Sequence, residues 1–163
     1  MRPDGNLLLV GENSGRIQLF ETQNRYTLRT YEEHAGRINS LCFAQNNKNF
    51  LSAANETSIK LYDIQDSTHN AALTIQAAHS DNIKKLIYLS EHHFLSASSD
   101  KTVKLWDLRS TKTPIAAQKY ANPIEDMCLL QSNTALVVAH GPQLAMTETS
   151  ESNLKLIKEF YSF

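Results

Sequence analysis

Residues 93–109 read HFLSASSDKTVKLWDLR. Phe94 to Ser98 alternate apolar with hydroxyl-bearing residues, the two-residue period of a half-buried strand. Asp100 and Lys101 supply a tight turn. Thr102 to Leu108 then alternate again, with Val103, Leu105 and Asp107 on one side and Lys104, Trp106 and Leu108 on the other. The result is a hairpin, which alone is marginal in water and requires neighbours over its apolar faces.

The same pattern recurs. Upstream lie NFLSAANETSIKLYDIQ (49–65) and LLLVGENSGRIQLFET (7–22); downstream lies a worn copy, TALVVAHGPQLAMTET (134–149). The aromatic marker sits at Phe20, Tyr62 and Trp106 and its slot is filled by Thr147, so successive copies are 42, 44 and 41 residues apart. A period of roughly 40–45 residues with Trp-Asp closing a strand is that of a propeller blade.

On SASSDKTVKLWD, with His79 where the family has Gly-His, the chain resembles the WD-repeat β-propeller family. The resemblance implies blades of four antiparallel strands, each held by a His, a hydroxyl, an Asp and a Trp. Carried over by position these are His79, Ser98, Asp100 and Trp106, with Ser96 the second choice for the hydroxyl. Asp100 would orient one imidazole nitrogen while the other donates toward the hydroxyl. Losing one partner of such a network costs about 1–3 kcal/mol. The second copy has His34, with Glu56, Ser58 and Tyr62 replacing Asp, Thr and Trp. The first has Ser14 for the Asp and Phe20 for the Trp; the fourth has Ala121-Asn122 and Thr147. One full network, one partial and two absent are expected.

The whole chain, 1–163, is therefore expected to be an all-β, partial WD-repeat propeller of about four blades. The blade units fall at about 1–32, 33–77, 78–121 and 122–163, the first lacking its inner strand. Arg2-Pro3-Asp4-Gly5-Asn6 reads as a turn. Strands are expected over 7–11, 16–21 and 26–31; then 38–44, 50–54, 58–64 and 71–76; then 83–89, 94–98, 102–108 and 115–120; and finally 124–130, 135–139, 143–147 and 154–160. The last, LKLIKEF, is helical by propensity, but its place in the period makes it an outer strand. Because propellers close into rings, often of seven blades, the chain reads as a fragment of a larger ring.

With 163 residues, 41% of them hydrophobic, the chain has enough for a good core. A net charge of −1 argues against a strongly electrostatic nucleic-acid binder. Cys42 and Cys128 lie in apolar runs and read as small core residues of a cytosolic or nuclear protein. No run reaches the length of a membrane span and no secretory signal opens the chain, so no membrane role is expected.

Ser, His and Asp recur, but His34 and His79 recur once per repeat, as structural residues do and a catalytic base does not. Glu91-His92-His93 reads as a solvated turn, since neighbouring residues in a turn point apart. With five glycines and no Gly-rich loop, nucleotide binding has no support. No cofactor, metal or small-molecule ligand is expected, and no enzyme. What remains is a rigid platform whose loops bind partners. Arg37, Glu56, Asp81, Lys101 and Asn122 are the candidate contacts on one rim.

The opening block to Phe43, with its Arg-x-Asp-Gly turn, the run from Glu12 to Phe20, Leu28-Arg29 before Tyr31, and Pro123-Ile124-Glu125 further on, resembles the WD-repeat members of the small-subunit processome in the subgroup linked to ribosomal RNA transcription. That resemblance implies a nucleolar scaffold in a large assembly with other propeller and helical proteins, pre-ribosomal RNA and small nucleolar RNA. Two alternatives remain. Trp106-Asp107-Leu108-Arg109 fits WDxR, the motif by which some WD-repeat substrate receptors dock on a cullin-RING ligase adaptor through an Arg, here Arg109. A cytoplasmic coat or signalling propeller is the other.

Overall fold

The computed structural model describes residues 1–2, 4–130 and 134–161, and all secondary structure among them is β. The first sheet is β1 (Leu7–Gly11), β2 (Ile17–Glu21) and β3 (Thr27–Tyr31). The second is β4 (Ile38–Phe43), β5 (Asn49–Ala54), β6 (Ile59–Asp63) and β7 (Leu73–Ile75). The third is β8 (Ile83–Tyr88), β9 (His93–Ser98), β10 (Thr102–Asp107) and β11 (Ala116–Lys119). The fourth is β12 (Ile124–Leu129), β13 (Ala135–His140), β14 (Gln143–Thr149) and β15 (Leu154–Tyr161).

Each sheet is an antiparallel meander in chain order, and the four follow one another as blades of a partial propeller, without closing into a ring. Pro3 of the expected opening turn lies outside the described residues; Gly5 N–H still bonds to Arg2 O.

The core lies between the sheets, which is why strands of the middle blades are apolar on both faces. Leu9, Ile17, Leu19 and Tyr31 pack on Ile38, Phe50 and Tyr62. Leu51, Ala53 and Ile59 pack on Ile83, Leu86, Phe94 and Trp106. Leu95, Val103, Leu105 and Tyr120 pack on Ile124, Met127, Leu136 and Val138. Phe50 stacks on Tyr62 with ring centroids 4.9 Å apart, and Phe94 on Trp106 at 6.3 Å, in the same register of their hairpins. Tyr thus does the packing work of Trp in the second blade. Each innermost strand is bulged near its start, at Ile38/Ser40, Ile83/Lys85 and Ile124/Asp126.

Two sequence readings need correction. Cys128 is exposed and only Cys42 is half-buried against the core. Met127, next to Cys128, packs in the cluster shared with the third blade, and the alternation of β12 turns Cys128 to the opposite face. His93 is not part of a solvated turn: it opens β9, is buried, and its Nδ1 shares a hydrogen bond with Ser90 Oγ at 3.0 Å. No helix among the described residues is long and apolar enough to cross a membrane.

Candidate binding rim and its buried networks

In an antiparallel meander, alternate connections lie at the same end of the sheet. The loops entering β4, β8 and β12 therefore share one rim with the β5–β6, β9–β10 and β13–β14 turns. Hydrogen bonds tie loop to turn: Asn55 N–H to Arg37 O at 2.8 Å and Ser99 N–H to Asn82 O at 2.9 Å.

The third blade carries a complete network beneath this rim. His79 Nδ1 lies 2.8 Å from Asp100 Oδ2, and His79 Nε2 lies 2.6 Å from Ser96 Oγ. Trp106 Nε1–H donates to the same Ser96 Oγ at 2.8 Å. The hydroxyl expected at Ser98 is thus supplied by Ser96. The two side chains share a face, but Ser98 sits too near the turn; its hydroxyl donates to Asp81 O at 3.0 Å and accepts from Asp100 N–H at 3.1 Å. The proton order is also the reverse of the expected one. An indole can only donate, so Ser96 accepts from Trp106 and gives its own proton to His79 Nε2, leaving Nδ1–H for Asp100. Burial holds the His79 imidazole below its ordinary pKa, against the pull of the Asp100 charge, which keeps it neutral. Burial pushes Asp100 upward, but bonds from Thr102, His79 and Ser80 outweigh it and hold the carboxyl below its ordinary value.

Asp100, His79 and Ser96 stand in the order of a hydrolytic triad. Ser96 is fully buried, however, and its oxygen is occupied by Trp106, so no substrate reaches it.

The second blade repeats the arrangement with substitutes. His34 Nδ1 is 2.6 Å from Glu56 Oε1, His34 Nε2 is 2.5 Å from Ser52 Oγ, and Ser58 Oγ donates to Glu56 Oε1 at 2.6 Å. The buried Tyr62 hydroxyl joins no hydrogen bond. Glu56, half-buried at the rim, gives its carboxylate to His34, Ser58 and the Ala35 amide.

The fourth blade is wired differently. Tyr120 Oη and Thr147 Oγ1 are 2.6 Å apart, placing a tyrosine–threonine bond where the third blade has indole and serine. His140 is fully buried on the Tyr120 ring, centroids 5.1 Å apart, with neither ring nitrogen hydrogen-bonded and Glu159 Oε1 at 3.8 Å. The sequence held no signal for His140, because it comes from a strand and not from the loop where the repeat places its histidine. In the first blade, Gly15 has φ +88°, and a Cβ there would lie 2.2 Å from His34 O, so its turn seats directly on the second blade.

On the rim, Arg37, Asp81 and Lys101 are exposed, and Lys101 holds φ 71° in its turn. Asn122 is half-buried, its amide 3.4 Å from Gln143 Oε1. A hollow of about 240 Å³ lined by Ser14, Gly15, Arg16, Glu32 and His34 opens beside them. Arg109 leaves β10 at the opposite end of the sheet. Its guanidinium folds back on Asp107, with Nη2 at 2.8 Å from Oδ2 and Nε at 2.9 Å from Oδ1. Among the described residues no group of three or more His, Cys, Asp or Glu is placed to hold a metal.

Residues 25–63 and 71–107 match the family model described as WD domain, G-beta repeat. Over 145 residues the chain is 30% identical to U3 small nucleolar RNA-associated protein 15 of Schizosaccharomyces pombe, covering 88% of this chain and 29% of that protein. Over 148 residues it is 30% identical to the U3 small nucleolar RNA-associated protein 15 homolog of Gallus gallus, covering 86% of this chain and 26% of that protein. A 65-residue stretch, 39% of this chain, is 35% identical to Retinoblastoma-binding-like protein E of Dictyostelium discoideum and covers 12% of it. The chain spans less than a third of the length of each of these relatives.

Proposed function

The chain belongs to the WD-repeat family, and from that premise we propose that it is a non-catalytic scaffold of ribosome biogenesis, working in the nucleolus within the assembly that processes small-subunit pre-ribosomal RNA. The observation that carries this is similarity along 88% of the chain, at 30% identity, to a protein whose name attaches it to U3 small nucleolar RNA. The second relative repeats that similarity over 86% of the chain.

The geometry supports a scaffold over an enzyme. The His, Ser and acidic side chains that resemble catalytic groups are spent on holding loops to turns beneath the rim, with His34 5% and His79 2% exposed. They hold the loops and turns that carry Arg37, Asp81 and Lys101, which with Asn122 are the side chains the rim offers to protein partners. With a net charge of −1, the chain meets RNA through the assembly and not through a basic surface of its own.

Conditional depletion of the protein, followed by pulse-labelling of ribosomal RNA, tests the proposal. Mature small-subunit RNA is expected to fall while its precursor accumulates, with rescue by the wild-type gene. Unchanged labelling of small-subunit RNA after depletion overturns it.

A further inference from the structure

The connection between β10 and β11 reads LRSTKTPI, residues 108–115. It lies at the end of the third sheet opposite the rim of Arg37 and Lys101, and it belongs to none of the buried networks. Thr113-Pro114 is the one place in the chain where a hydroxyl-bearing residue precedes proline. Thr113 is exposed, and its hydroxyl forms no hydrogen bond among the described residues. The matching connection of the second blade, residues 64–72, has no proline, and its Thr68 hydroxyl is tied to Asp66 Oδ2 at 2.9 Å.

The backbone here is held at both ends and loose between them. Ser110 N–H bonds to Asp107 O at 3.0 Å and Ile115 N–H to Leu105 O at 2.8 Å. Residues 111–114 take no part in the backbone hydrogen bonds of the described residues, so the segment can be drawn out into an enzyme cleft without breaking any. Proline lacks an N–H and biases the residue before it toward extended backbone. An exposed threonine before proline, on a segment that can be drawn out, is the acceptor a proline-directed Ser/Thr kinase requires.

The register shows what surrounds Thr113. Leu105 opposes Ala116, so the chain just before Ile115 returns at the level of Asp107 to Arg109. There the Arg109 guanidinium forks onto Asp107, with Glu151 of the fourth blade adding to the field on it. Lys112 is exposed beside them. A threonine phosphate carries about −1.5 to −2 charges on three acceptor oxygens, more than a carboxylate offers. A guanidinium forks onto phosphate as it does onto carboxylate.

We propose that Thr113 is a phosphorylation site for a proline-directed Ser/Thr kinase, and that its phosphate takes Arg109 from Asp107. Thr113 Oγ1 attacks the γ-phosphorus of ATP. The new O–P bond forms as the bond to the β–γ bridging oxygen breaks, ADP leaves, and the hydroxyl proton passes to the kinase's catalytic aspartate. This stands on the loop itself and is independent of the role in ribosome biogenesis.

The tagged full-length protein, purified from its own dividing cells with phosphatase inhibitors present, is mapped by mass spectrometry beside two variants. Phosphate is expected on residue 113 of the wild type and of Thr113→Ser, and is expected to be lost in Pro114→Ala. An unmodified Thr113 in the wild type, or equal phosphate in Pro114→Ala, overturns the site. The exchange of partners is read on the full chain phosphorylated with ATP by a proline-directed kinase, through the phosphorus NMR titration of the phosphate. Its second ionisation is expected below the ordinary value of about 6 and is expected to move up in Arg109→Ala. The same titration with and without the Arg109 guanidinium overturns the exchange.

Discussion

Ser96→Ala removes one hydroxyl and orphans two buried groups. Ser96 Oγ is 2.6 Å from His79 Nε2 and 2.8 Å from Trp106 Nε1, and both rings are buried, at 2% and 3% exposure. Each unsatisfied group costs about 1–3 kcal/mol, so the substitution is expected to destabilise the chain by about 2–5 kcal/mol. Ser98→Ala, two residues away on the same face, removes bonds to Asp81 O and Asp100 N–H at the rim of the sheet and is expected to cost about 1 kcal/mol. Ser52→Ala orphans His34 Nε2 alone, because Tyr62 does not bond to Ser52; its cost is expected to fall between the two. Urea unfolding followed by circular dichroism gives the three values, and Trp106, the single tryptophan, gives an independent local signal. Coupling is also expected: in a Trp106→Phe background, Ser96→Ala should lose part of its effect, since one of the two orphans is already gone. If Ser98→Ala costs more than Ser96→Ala, or if Ser96→Ala costs less than about 0.5 kcal/mol, the network as drawn is wrong.

Acid is expected to weaken the fold in two steps. Burial holds His34 and His79 below the ordinary 6.5, so the unfolded chain binds those protons more tightly; their contribution is complete above about pH 6.5 and is lost as pH falls below it. Burial raises Glu56 and Asp100, but their hydrogen bonds outweigh it and hold both below 4.5 and 3.8, so a second loss follows as pH drops through that range. A urea midpoint that stays flat or rises between pH 6.5 and 5 contradicts this. Gly15→Ala, strained by its φ and driven 2.2 Å from His34 O, is expected to cost about 2 kcal/mol or more. Gly5→Ala, at φ +78° with nothing within 4 Å of the added Cβ, is expected to cost about 1 kcal/mol; equal values for the two remove the argument from close approach. Arg109→Ala should release Asp107, whose carboxyl is held far below its ordinary value by the guanidinium. A carboxyl titration by NMR that leaves Asp107 unmoved shows that the pair does not form.

Much of the fold is legible in the sequence because its signal is periodic. Alternation with a repeat of just over 40 residues locates every strand to within about two residues, and Leu154 to Tyr161, helical by propensity, is placed as a strand by the repeat. What the period cannot resolve are choices between positions on one face. Ser96 and Ser98 differ by one pleat, and only the reach of His79 between Asp100 and the strand selects Ser96. Cys128 was misread because its run looks like those of Cys42, yet burial depends on whether another sheet lies beyond. The bond that ties Glu56 at the rim to His34 depends on a reach between loop and turn that the period does not encode. His140 and Tyr120 belong to no motif; they come together because the fourth blade lacks a loop histidine and fills the space from β13 and from the segment after β11.

The proposed function predicts association with U3 small nucleolar RNA, and affinity purification of the tagged full-length protein from its own cells, with sequencing of the bound RNA, tests that directly. The account predicts strong enrichment of U3 and of pre-ribosomal RNA, together with other propeller proteins. U3 at the level of an untagged control would contradict it.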